Sequence, residues 1–394
     1  MKLVYLFRTE YKRGSSPRHE MIFNALSELS VDVWILAKSP DRTWFSRSYV
    51  SSRIISFNPP FWLRFLDTIT RAVESDTSHS LTTIGFLYNL HPDYIVVDNS
   101  VRRTLIVWFF KHLFYRRSKI VYDMYDLCER LSSFGRKKRI FTKLMIFLNE
   151  VFLPKVVDKV VVVTKYGRRY LISKGIPREK VFILGYLTSL EIFKKLTDDE
   201  VTRVREKLGI KDDTRVLLWQ GSLRSYQIEG LKTVIKALSL VQRKMPNLTL
   251  LVVGDGKGLD ELKGLAKALN TNVVFTGWLT GTDYWACPKI ADVGIQALPE
   301  APFTHFIHGT KLTEYIAAGL PVLCSALEGP SELVQGNGLT FTPRESEDLA
   351  KKIEQIFRMN LNQLSLKSIE LAEQEFSWQS VVKKITELTE FLKR

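Results

Sequence analysis

The 394-residue chain has only three cysteines, Cys128, Cys287 and Cys324, far apart and without metal-ligand spacing. An odd, scattered set excludes a disulfide framework and gives no support to a zinc site. No apolar run approaches the roughly 20 residues that span a bilayer, the longest candidate being Leu105 to Phe110. The opening Met1 to Phe7 turns polar at Arg8, too short for a signal-peptide core and of the right length for a first strand. A cytoplasmic protein that does not cross the membrane is expected. Low-complexity stretches and repeats of fixed period are also lacking, so disorder and solenoid architectures are poor readings.

What is abundant is positive charge. The net charge is +15, and residues 101 to 190 hold 20 Lys/Arg against 6 Asp/Glu. Such a stretch fits an anionic surface, either phospholipid head groups or nucleic-acid phosphates, and also serves solubility alone. Bases and large apolar side chains interleave from Arg102-Arg103 through Trp108-Phe109-Phe110 to Arg116-Arg117. They do so again in Arg136 to Arg139 with Phe141, Leu144, Ile146 and Phe147. That composition suits a helix in the head-group region of an anionic membrane, or ordinary helices with solvated basic faces. No RNA-recognition signature accompanies it, so a nucleic-acid partner is not expected.

Short β-branched runs alternate with amphipathic stretches, first at Leu3 to Phe7, Val33 to Ala37, Tyr94 to Val97, Ile120 to Tyr122 and Lys159 to Val163. Uniformly apolar strands between helices predict a parallel sheet covered on both faces. A polar stretch from Lys194 to Asp199 puts a domain boundary near residue 195. A second series follows at Arg215 to Gln220, Leu248 to Val253, Val273 to Thr276, Val293 to Ala297, Val322 to Cys324 and Leu339 to Phe341. The predicted organisation is two doubly wound Rossmann-like domains, 1–195 and 196–375, with a cleft between them. Residues 376–394 form a closing helix packing back towards the first domain.

The most informative segment runs from Gly309 to Val322. Thr310 is placed to cap a helix about three turns long, Gly319 to end it, and Pro321 to lead into a strand. Leu312, Tyr315 and Ile316 share a face for the sheet, while Lys311 and Glu314, three apart, share the other. A helix N-terminus reinforced by Lys311 suits a diphosphate, and Glu314 one turn on suits a ribose diol. The same two residues are also compatible with a surface ion pair.

The run resembles the K-x-x-E-Y-x-A-x-G-x-P-V pattern of retaining glycosyltransferases of family four, enzymes of GT-B fold. Trp219-Gln220-Gly221-Ser222-Leu223 is similar to the family's G-x-L turn, and Val252 to Gly256 to its V-G-x-G turn. Phe275-Thr276-Gly277-Trp278-Leu279 with Ala291 to Gly294 is similar to the pair of segments lining its base pocket. The closing Phe376-Ser377-Trp378 is also similar to the family's pattern.

The resemblance implies a donor diphosphate on Lys311, on the N–H groups of Gly309 and Thr310, and on a basic residue near Gly221, for which Arg224 is the candidate. Glu314 would hold the ribose. Ser222, Gly254, Gly256, Trp278, Leu279, His308 and Leu312 complete the expected donor contacts. Two departures stand out. Glu229 precedes Gly230 where the family places a lysine, and Phe306 stands eight before Glu314 where it places a first glutamate. His305 and His308 are nearby candidates for the missing role.

In the first domain, Gly14-Ser15-Ser16-Pro17-Arg18 follows the first strand. Gly14, Ser15 and Arg18 are candidates to meet an acceptor phosphate or the donor diphosphate, a solvent-facing arginine being the alternative. Tyr122 to Asp126 resembles the family's D-x-H-(D/E) segment with Tyr125 in the histidine's place, so Asp126 becomes the candidate for sugar or acceptor contact, or else a helix N-cap.

Together these features imply a metal-independent transferase without a separate cofactor. Its donor would be a UDP- or GDP-linked sugar, its acceptor lipid-linked or a glycan, and its place peripheral at the inner face of the cell membrane. A non-catalytic subunit and a nucleotide-sugar epimerase of the same fold are the alternatives.

Overall fold

A computed structural model describes residues 1–10, 17–38, 45–49, 53–57, 77–114, 116–127, 139–223 and 225–394. The chain divides into two compact units, Met1–Gly185 with Val381–Arg394, and Tyr186–Ser380. The division thus falls after Gly185, where the sequence reading puts it near 195.

The first unit holds strands β1 (Lys2–Glu10), β2 (Asp32–Lys38), β3 (Phe45–Tyr49), β4 (Arg53–Phe57), β5 (Tyr94–Asp98), β6 (Lys119–Met124), β7 (Lys159–Val162) and β8 (Val181–Ile183). They form one sheet in the order β3-β4-β2-β1-β5-β6-β7-β8. Pairing is parallel except between β3 and β4. Register follows the apolar runs, with Leu3 to Leu6 opposite Tyr94 to Val97. All five residues of β5 are buried, as expected of a strand covered on both faces. Sequence patterning misses three strands: β3, whose Phe45–Tyr49 run is largely polar, β4, whose Arg53–Phe57 run is interrupted by Ser56, and β8, which is three residues long. On the closing helix Trp378–Lys393, the Leu392 carbonyl accepts from the Tyr94 hydroxyl at 2.8 Å and the Phe391 ring meets Phe182.

The second unit holds β9 (Arg215–Gln220), β10 (Leu248–Val253), β11 (Val273–Gly277), β12 (Val293–Gln296), β13 (Val322–Ser325) and β14 (Gly338–Phe341). Every pairing is parallel and the order is β11-β10-β9-β12-β13-β14. Alternate residues of β9 enter opposite cores. Leu217 and Trp219 join one apolar cluster, and Val216 and Leu218 join the other. The chain reverses direction across this sheet between β9 and β12. Such a switch point opens a crevice at the carboxyl ends of the two strands, where ligands of doubly wound folds bind. Two doubly wound α/β units in this arrangement are the GT-B architecture.

Candidate functional site

The carboxyl end of β9 runs from Trp219 and Gln220 into Gly221, and that of β12 ends at Gln296. Between β12 and β13 lies the helix Thr310–Ala317. Its N-cap is Gly309 at φ 83°, and no side chain caps it, so the expected Thr310 cap is corrected: Thr310 is the first helical residue and is exposed. Backbone approach explains the glycine, because a Cβ on Gly309 would stand 1.7 Å from Gln296 Nε2. Uncapped N–H groups at the first turn therefore open beside Lys311. The helix has 8 residues, about two turns rather than the three expected. It closes with Gly319 N–H on Ile316 O and Leu320 N–H on Tyr315 O, a left-handed Gly319 (φ 77°) making the turn.

Lys311 and Glu314 are both buried, at 8% and 5% exposure. A surface ion pair is thereby excluded, and no carboxylate pairs with Lys311 among the described residues. Burial lowers the Lys311 ammonium to about 7, with Glu314 opposing the shift. Burial likewise raises the Glu314 carboxyl to about 7, against the Tyr284 hydrogen bond and Lys311. Tyr284 donates to Glu314 Oε2 at 2.9 Å. Lys311 Nζ lies 4.1 Å from the Trp219 ring centroid and donates to Gln227 Oε1 at 3.3 Å. Tyr315, in the core beneath, accepts from the Gln220 N–H at 2.8 Å and fixes the helix to β9.

The other expected donor contacts divide. Ser222 is half-buried in the turn after Gly221. Gly254 is a packing glycine: a Cβ there would lie 1.8 Å from Gly221 O, and its N–H bonds Gly277 O at 2.8 Å. Gly256 is exposed, and Trp278 stands out at 60% exposure. Leu279 is partly buried and packs on the core, and Leu312 lies wholly inside that core, so its side chain is structural. His308 is buried, with Nε2 3.3 Å from Glu332 Oε2. His305 Nδ1 accepts from Glu328 N–H at 3.1 Å and its Nε2 lies 2.5 Å from Glu300. Phe306 is fully buried, which places apolar packing where the family's first carboxylate would stand. Arg224 lies outside the described residues. Trp219, Gln227 and Tyr284 enter the site through tertiary contact alone. Tyr284 lies thirty residues before Glu314 in the sequence, a separation that carries no local pattern.

In the first unit, Gly14 and Ser15 lie outside the described residues. Arg18, expected to meet an anion or face solvent, is 2% exposed and turned inward. Its guanidinium forks onto Asp123 at 2.8 and 2.9 Å. The Tyr5 hydroxyl also donates to Asp123, and His19 Nε2 lies 3.2 Å from that hydroxyl. Burial alone would raise the Asp123 carboxyl, and Arg18 overrides it and lowers it. Burial, then Arg18, lowers His19 to about 3. Tyr125 is half-buried with Arg18 5.8 Å from its ring centroid. Asp126 is half-buried, and its Oδ1 accepts from the Leu127 N–H at 3.0 Å.

Residues 200–375 match the family described as glycosyl transferases group 1. Over 304 residues the chain is 25% identical to the chitobiosyldiphosphodolichol beta-mannosyltransferase of Candida albicans, covering 73% of this chain and 65% of that protein. It is 27% identical over 199 residues to the alpha-monoglucosyldiacylglycerol synthase of Streptococcus pneumoniae, covering 48% of this chain and 44% of that protein. The chain thus spans less than two thirds of the length of these curated relatives. The structure of Anabaena Alr3699/HepE in complex with UDP-glucose superposes with a TM-score of 0.72 at 16% identity, covering 99% of each chain. At that identity the likeness establishes the fold.

Proposed function

We propose that the chain is a group 1 glycosyltransferase whose second unit grips the diphosphate of a nucleotide-sugar donor. The observation that carries this reading is Lys311: a buried cation without a carboxylate partner among the described residues, at an uncapped helix N-terminus on the switch point of a doubly wound sheet. A buried charge without a counter-ion is costly, and a diphosphate supplies the missing anion. Sugar transfer leaves negative charge on the departing diphosphate, and the ammonium with the helix-end N–H groups is arranged to stabilise it. Glu314, oriented by Tyr284, takes the ribose hydroxyls. Arg224 remains a candidate second cation. The reading needs no metal ion for charge neutralisation, and retention of the anomeric configuration comes with the resemblance to family four. Asp126 and Tyr125 stay assigned to the transferred sugar or the acceptor. Purified protein should transfer from one of a panel of UDP- and GDP-sugars to a lipid-linked or glycan acceptor. Lys311→Ala and Glu314→Ala should each lower transfer at least about a hundredfold. Full activity in either variant would refute the assignment.

A lipid-linked acceptor at an anionic membrane, at the inner face of the cell membrane, completes the reading. The names of the two relatives, one acting on a dolichol-linked substrate and one making a glucosyldiacylglycerol, point that way. So does the first unit's surface. Helix Val101–Phe114 buries Val101, Arg103, Thr104 and Val107, so Arg103 does not contribute to an outward basic face as the sequence suggests. Large apolar side chains of the helix are exposed instead. Phe109, Leu113 and Phe114 are 58%, 57% and 52% exposed, and Tyr88 at 55% meets Phe114 edge-on. Exposed Arg116 and Arg117 follow at once. No helix among the described residues is long and apolar enough to cross a membrane, so this association would be peripheral. Each basic residue near an anionic bilayer adds about 1 kcal/mol. Co-sedimentation with phosphatidylglycerol vesicles should fall in a Phe109→Ser/Leu113→Ser/Phe114→Ser variant and in high salt. Equal pelleting with neutral vesicles and with none would remove the membrane from the reading.

A further inference from the structure

The groups that touch the Lys311 ammonium carry no charge. The Trp219 ring lies 4.1 Å from Nζ, Gln227 Oε1 accepts from it at 3.3 Å, and Gly221 presents bare backbone, since a Cβ there would stand 3.3 Å from Nζ. The titratable groups facing it are Glu314 on its own helix and, bonded to Glu314, Tyr284 from the helix Gly281–Ile290. β9 brings Trp219, and the helix Ser225–Val241 brings Gln227.

An indole at position 219 is an expensive way to fill a core. Trp219 is 0% exposed within an apolar cluster, and its Nε1 is buried without a hydrogen-bond acceptor among the described residues. An unsatisfied N–H destabilises, and an aliphatic residue in that cluster would avoid it. What an aliphatic residue lacks is a negative ring face. Such a face attracts an ammonium, more strongly when both are out of water. Unlike a carboxylate, it neither neutralises the cation nor competes with an arriving anion.

We infer that Trp219 is a positioning residue of the donor site, its indole face holding the Lys311 ammonium charged and aimed where the diphosphate arrives. The inference rests on the donor reading above, because it needs a diphosphate at Lys311. Glu229, where the family places a lysine, is exposed and pairs with Lys232 at 2.9 Å, so it supplies no charge to the Lys311 ammonium.

Two measurements on the full chain test it. Calorimetric titration with UDP, and with GDP in parallel, is compared for wild type, Trp219→Phe, Trp219→Leu and a series carrying mono- to trifluorinated tryptophan at position 219. Fluorination weakens the ring face at nearly constant shape. Affinity for whichever diphosphate binds should fall stepwise with fluorination and about tenfold in Trp219→Leu, with Trp219→Phe retaining most of it. The second measurement follows the ligand-free Lys311 ammonium by NMR with labelled lysine, and its titration should move to lower pH along the same series. Affinity and titration both indifferent to fluorination overturn the inference, even should Trp219→Leu fail to fold. Wild type binding neither UDP nor GDP sinks the donor reading instead, while the NMR series still decides whether the indole holds the charge.

Discussion

Both units bury a cation at the carboxyl edge of a parallel sheet, and they treat it in opposite ways. In the first unit Arg18 is locked to Asp123 by two hydrogen bonds, with Tyr5 and His19 closing around the pair. In the second, Lys311 rests on a ring face and an amide oxygen, with Glu314, its carboxyl raised to about 7 by burial, one turn away. A paired buried charge is satisfied and belongs to the architecture. One left without a counter-ion costs stability, which is why the proposed donor site is built on the lysine and not on the arginine. Burial alone would rank the two alike, and the identity of the neighbour separates them.

The sharpest way to break this comparison is to remove each cation without adding another charge. Arg18→Met strands Asp123 in the interior, and urea unfolding should show the first unit losing about 3–5 kcal/mol. A loss under about 1 kcal/mol would mean that the fork contributes little to the architecture. The smaller effect has the opposite sign. Lys311→Met removes a penalty, so calorimetry at about pH 6 should show the second unit gaining roughly 1–3 kcal/mol while UDP and GDP binding is lost.

The sign with pH follows from the lowered lysine. Its folded value of about 7 lies below the unfolded 10.5, so the unfolded chain holds the extra proton between them and the wild-type second unit gains stability as pH rises through that window. The advantage of Lys311→Met should therefore shrink above about pH 7 and vanish near 10.5. Destabilisation by Lys311→Met at about pH 6 would contradict the view of an unsatisfied charge.

Much of the fold was legible because parallel strands buried on both faces leave uniformly apolar runs, and those runs mark eleven of the strands in the two sheets. The polar β3, the interrupted β4 and the three-residue β8 leave no such mark. Lys311 and Glu314 were legible for a similar reason: both sit on one short helix whose ends are punctuated by Gly309 and Gly319. Arg18 illustrates the limit. A helix start after a strand reads as an anion site whichever way its arginine points, and only the packing shows that Asp123, 105 residues on, has claimed the guanidinium.

From the sequence by itself come two doubly wound units, the lysine and acid on the Thr310–Ala317 helix, and an excess of positive charge in the first half, since each is written in local spacing or composition. Tertiary structure alone decided which charges are satisfied: Trp219 beneath Lys311, Tyr284 against Glu314, Phe306 in the core, Arg18 spent on Asp123. Burial and partnership depend on residues far apart in the chain, and no local pattern encodes the distance between them.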